Sequence, residues 1–76
     1  MNEKTKLKRY REEKEYSQIE LAEKMAVTQQ SISSWETGRT IPKPYQMKKL
    51  SEILEVNMDD LFYDIFNIDE KEKQLS

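Results

Sequence analysis

Residues 17–42 read SQIELAEKMAVTQQSISSWETGRTIP, and the local chemistry of this stretch decides the fold. Ser17-Gln-Ile-Glu20 spells a capping box. The Ser17 hydroxyl can accept from the Glu20 backbone N–H while the Glu20 carboxylate reaches back to the N–H of Ser17. Leu21, Ala22 and Met25 then share one helical face, which predicts a helix over 17–25. Thr28 offers a second N-cap directly after Ala26-Val27, opening a helix over 28–36 with Ile32 and Trp35 as its inward edge. The outward residues of that second helix are Gln29, Gln30, Ser33 and Ser34, all small or amide-bearing hydrogen-bonding groups.

Two helices joined by a turn of three to four residues, the second displaying polar side chains, form a helix-turn-helix. Outward from this pair, residues 3–14 predict a highly charged first helix with Asn2 as its cap. Leu7, Tyr10, Arg11 and Lys14 lie on one face of it. Only two of those four are apolar, so Arg11 lies partly under the fold and needs a carboxylate partner. Gly38 falls where a left-handed cap ends the third helix, and residues 37–43 form a loop. Pro44 opens a fourth helix to about Leu54, with Met47, Leu50, Ile53 and Leu54 inward. Asn57 caps a fifth, in which Met58, Leu61, Phe62, Ile65 and Phe66 fall at helical spacing. The expected fold is all-α: a compact five-helix bundle occupying residues 1–68, followed by a mobile acidic tail over 69–76.

Composition narrows the function classes. A chain of 76 residues with 36% hydrophobic content supports one small core. It has no Cys and no His, which removes disulfides and the usual zinc ligands. There is no Gly-rich phosphate loop and no nucleophile–base pair, so an enzyme is not expected, nor a cofactor, a metal or a small-molecule ligand. Glu12/Glu13 and Asp59/Asp60 are adjacent in sequence and splay ~100° apart on a helix. They read as solvated faces and helix-start charges. No apolar run of membrane-spanning length or secretory type is present, so a cytoplasmic protein is expected. Net charge is −2, but residues 1–50 hold 11 Lys+Arg against 7 Asp+Glu, and residues 51–76 hold 2 against 8. A basic front and an acidic rear leave room for a polyanionic partner despite the overall sign.

The ordered set Leu7-x-x-x-Arg11, Ser17-Gln18-x-x-Leu21-Ala22, Val27-Thr28, Ile32-Ser33-x-Trp35-Glu36-x-Gly38 and Pro42 resembles the Cro/repressor helix-turn-helix family, also called the xenobiotic-response-element type. The tract Thr28-Gln-Gln-Ser-Ile32 is similar to the reading helix of lambdoid phage repressors. The resemblance covers roughly residues 5–62. It implies a third helix in the major groove, a second helix crossing above it, and a buried Arg11–Glu36 ion pair tying the first helix to the third. The family often places Gly at the ends of the first, second and fourth helices, where this chain has Glu15, Ala26 and Glu55. A left-handed Ala26 would cost ~1–2 kcal/mol.

The expected function is sequence-specific binding of double-stranded DNA by a transcriptional regulator, most simply a repressor. At ~100° per residue, Gln30 and Ser34 lie about 160° and 200° from the buried Ile32, and Gln29 projects from the first turn. Gln29 and Gln30 are the expected base readers, with Ser34 a third. An amide suits the N6/N7 edge of adenine. Gln18, Ser33, Thr37, Arg39, Thr40 and Lys43 are the expected phosphate contacts. Ile65 and Phe66 exceed the apolar length the fold needs and point to a homodimer on a pseudo-palindromic operator, unless they fold back onto Leu7 or Tyr10. The competing function is a protein-interaction module, an antitoxin or adaptor, working through the apolar fifth helix.

Overall fold

The computed structural model describes residues 5–63, all of which fall in helices or the short turns joining them. Five helices follow one another: α1 (Lys6–Glu13), α2 (Gln18–Met25), α3 (Gln29–Thr37), α4 (Pro44–Leu54) and α5 (Met58–Leu61). Each start is chemically marked. The Ser17 hydroxyl and Glu20 carboxylate form both halves of the capping box, at 3.0 and 2.8 Å. Thr28 Oγ1 accepts from the Ser31 N–H, and Asn57 Oδ1 from the Asp59 N–H. Pro44 stands at the first turn of α4, where Gln46 Oε1 accepts from the Lys43 N–H.

The start of α1 corrects the expected 3–14 helix. Thr5 is the cap, its hydroxyl accepting from the Lys8 N–H at 3.2 Å, so the helix begins at Lys6. Asn2 lies outside the described residues, as do Ile65, Phe66, the bound at 68 and the 69–76 tail.

Helix ends depart from ordinary stereochemistry in a regular way. Gly38 ends α3 with φ 79°. Glu15, Ala26 and Glu55 also take positive φ, at 63°, 61° and 59°. The chain therefore keeps the left-handed turns that glycine would ease, without the glycines. The Ala26 turn has a specific return: the Val27 N–H reaches Ala22 O at 3.0 Å, closing the end of α2 and aiming the chain into α3.

The core is one cluster in which every helix takes part: Leu7, Leu21, Ala22, Met25, Ile32, Met47, Leu50, Leu54, Leu61 and Phe62. Leu21, Ile32, Leu50 and Leu54 are fully enclosed. α2 packs most extensively on α3, while α1 bridges α3 and α5. Trp35, Ile53 and Met58 are half-buried at its margin. Leu21 of α2 and Ile32 of α3 are both fully enclosed in this cluster, so close packing fixes how the two helices sit.

Candidate nucleic-acid interface

Arg11 and Glu36 are the only charged side chains buried among the described residues, at 7% and 5% exposure. Arg11 Nε donates to Glu36 Oε2 at 2.5 Å and Nη2 to Glu36 Oε1 at 3.2 Å, a two-point clasp. Its remaining amino group, Nη1, donates to the carbonyl of Tyr16 at 2.8 Å, just before α2 begins. One guanidinium thus joins α1, the α1–α2 turn and the last turn of α3. No buried side-chain polar atom among the described residues lacks a partner.

The ion pair extends toward the surface. Gln18 Nε2 donates to Glu36 Oε1 at 3.0 Å. Gln18 Oε1 in turn accepts from Gln29 Nε2 at 3.3 Å. Four side chains therefore form a chain from the interior to the exposed first turn of α3. The sequence reading assigned Gln18 a place at the head of α2 but missed both of these bonds. Nothing local signals them, because the partners stand 18 and 11 positions apart.

Gln29 and Gln30 are exposed, while Ser33 and Ser34 are half-buried. Arg39, Thr40 and Lys43 are exposed in the loop after α3, and no ion pair among the described residues engages Arg39 or Lys43. The carbonyl of Ser34 is occupied by the loop, accepting from the N–H groups of Arg39 at 2.9 Å and Thr40 at 3.4 Å. Thr37 is exposed, but its hydroxyl donates back to the carbonyls of Ser33 and Ser34 at 3.1 and 3.2 Å. A phosphate contact from Thr37 would require that hydroxyl to rotate away from its own helix, so it is the weakest member of the set. The first-turn N–H groups of Gln18 and Ile19 have no intrahelical carbonyl to reach and stand free for an anion.

A second set of polar contacts joins α1 to α5. Asp60 accepts from the Tyr10 hydroxyl and from Lys6 Nζ, the latter at 3.2 Å. The hydrogen bond from Tyr10, followed by that from Lys6, lowers the Asp60 pKa below its ordinary 3.8. The same bond to Asp60 is the main cause that raises the Tyr10 phenol above 10.0. Asp60 is thus more than the solvated helix-start charge expected of it: it pins α1 to α5. A small crevice of about 150 Å³ lies between Leu7, Trp35, Pro42 and Phe62.

Exposed amides on α3, a free basic loop beyond it and a rigid α2–α3 crossing make an arrangement suited to a nucleic-acid groove. A family model described as helix-turn-helix matches residues 7–61. The chain belongs to the helix-turn-helix family. The chain is also 36% identical over 56 residues to the HTH-type transcriptional activator BcrR of Enterococcus faecalis, an alignment covering 74% of this chain. It spans 28% of that protein's length. No solved structure matches. Among the described residues, no helix is long and apolar enough to cross a membrane.

Proposed function

We propose that this chain recognises a specific double-stranded DNA operator by laying α3 in the major groove, as a non-enzymatic regulator acting in the cytoplasm. The observation that carries the reading is the pair of exposed amides at Gln29 and Gln30 on the first turn of a helix locked to α2 and α1. Reading helices reach base edges from that turn. Gln29 and Gln30 read bases, with Ser34 a shorter reach behind them. Gln18, Ser33, Thr37, Arg39, Thr40 and Lys43 hold the backbone on either side.

One domain of this size offers few base contacts, so useful specificity rests on two subunits occupying two half-sites. A homodimer on a pseudo-palindromic operator follows, and Ile65 and Phe66 are the proposed contact. Repression by occupying a promoter needs nothing beyond binding and is the simplest mode. BcrR carries the name of an activator, so the sign of regulation is part of the test.

Selection of bound oligonucleotides from a random pool, followed by fluorescence anisotropy, checks the whole reading. The expected product is a palindromic site bound far more tightly than random DNA, with the preference lost in Gln29→Ala/Gln30→Ala. A wild-type protein that binds the selected pool no better than the starting pool would overturn it. Removing residues 64–76 should convert two-site binding into weak single-site binding; undiminished affinity would remove the dimer. A reporter with the selected site over the promoter, or upstream of it, reads repression against activation.

A further inference from the structure

The crevice between α1, the end of α3 and α5 is walled by apolar side chains: Leu7, Trp35, Pro42, Leu61 and Phe62. An apolar space of about 150 Å³ accommodates one benzene ring. Its occupant therefore has the size and chemistry of a single aromatic side chain. Trp35 is half-buried there, and Lys6 also borders the crevice.

The chain carries such a side chain close by. Phe66 stands four positions after Phe62, which forms part of the wall. Its own crevice is awkward for it to reach. Along a helix the chain advances about 6 Å between those two residues, and extended it advances about 13 Å, so either path carries Phe66 onward past the wall. A return would need a tight reversal over Tyr63-Asp64-Ile65, which contains neither Gly nor Pro. Tyr63 is already placed, 52% exposed with Lys6 Nζ 5.9 Å from its ring centre. A second copy meets no such restriction. Charge favours the same pairing. The start of α1 carries Lys6, Lys8 and Arg9 and has no acid in its first turn, whereas Asp64, Asp69 and Glu70 flank Phe66.

We propose that the crevice receives Phe66 of a second copy of this chain, reciprocally, so that each subunit plugs the other. This rests on the homodimer reading above and adds to it the surface that receives the contact. The consequence reaches the DNA face. Gly38 and Pro42 both border the crevice, and the chain between them carries Arg39. A ring seated there braces that loop, so association and phosphate contact strengthen together.

Trp35 is the chain's one tryptophan and reports on the crevice directly. In the full chain its emission should move to shorter wavelength as concentration passes the association midpoint measured by sedimentation equilibrium. Phe66→Ala should weaken association about a hundredfold or more, for two buried rings lost, and hold Trp35 at its dilute-state emission. Phe66→Leu should recover part of both. The deciding mixture combines Phe66→Ala, which keeps the tryptophan but lacks the plug, with Trp35→Phe, which keeps the plug but lacks the tryptophan. Adding the second protein should shift the emission of the first. No shift on mixing overturns the inference, as does a dimer that survives Phe66→Ala undiminished. A Trp35 emission altered by Phe66→Ala even at high dilution marks insertion within one chain and also overturns it. So does a shift produced by toluene but not by the Trp35→Phe protein, which marks a small-molecule site. If Phe66→Ala does not fold, Phe66→Gln, which keeps the length without the ring, replaces it. A wild type that sediments as a monomer at every concentration defeats the dimer reading and this inference with it. No DNA enters the assay, so operator selection judges the DNA reading separately.

Discussion

Glu36 lies 5% exposed at the meeting of three segments and carries two loads. It neutralises Arg11, and it orients Gln18. Removing one partner of a buried ion pair leaves the other charged and dry, so Glu36→Ala should destabilise the fold by about 3–5 kcal/mol in urea titration. Arg11→Met/Glu36→Met removes both charges at similar volume and should stay close to the wild type. A double variant as unstable as the single one would show that the pair itself, with its bonds to Tyr16 and Gln18, holds the fold. The need of Arg11 for a carboxylate was readable from a helix face with too few apolar residues. The partner's identity came through family likeness, because Glu36 stands 25 residues away and nothing local links them.

Among the elements, α2 and α4 were the most legible, since capping chemistry and helical periodicity point to the same bounds in each. Their ends are the unusual part. Ala26 holds φ 61° with a Cβ that glycine would not have, and it does so because α3 can cross α2 only if the chain reverses there. Ala26→Gly should relieve ~1–2 kcal/mol of left-handed strain and lose part of that to the greater freedom of an unfolded glycine. The expected net gain is about 0.5–1 kcal/mol, seen as a higher urea midpoint at unchanged slope. A loss of stability would mean that the Ala26 methyl packs usefully against the turn. The first helix was the least legible element. Both Asn2 and Thr5 are competent caps, and choosing between them depends on where the rest of the molecule lets α1 begin.

At the scale of the whole molecule, α1 and α5 are fastened by the Tyr10–Asp60–Lys6 contact, and its stability should follow pH in a defined window. Asp60 has a folded pKa below its ordinary 3.8, so its contribution is present above that value and is lost as pH falls through the lower, folded one. Tyr10 has a folded pKa above 10.0, so its contribution is present below 10.0 and disappears as pH rises through the folded value. The stability difference between wild type and Tyr10→Phe should be flat from about pH 5 to 9 and shrink on either side. A difference that grows in acid would contradict the assignment. Long-range charge makes a second prediction. With Arg39 and Lys43 as the cations on the DNA backbone, a dimer neutralises about four phosphates, giving a salt slope of about −4. Arg39→Ala should make that slope shallower by about 2 in the dimer while leaving base preferences unchanged. An unaltered slope would place Arg39 away from the phosphates.

Local chemistry along the chain was enough to specify α2, α3 and α4: hydroxyl caps at Thr28 and Ser17, a proline at the head of α4, a glycine after α3, and apolar residues at helical spacing between them. It also brought Gln29 and Gln30 to the outer face of α3, because a helix with Ile32 inward has no other way to place them. Tertiary structure alone decided which distant groups meet. Hydrogen bonds from Gln18 to Glu36, from Gln29 to Gln18 and from Tyr10 to Asp60 join residues 11 to 50 positions apart. Such pairings depend on the crossing angles of packed helices, which short-range periodicity does not encode.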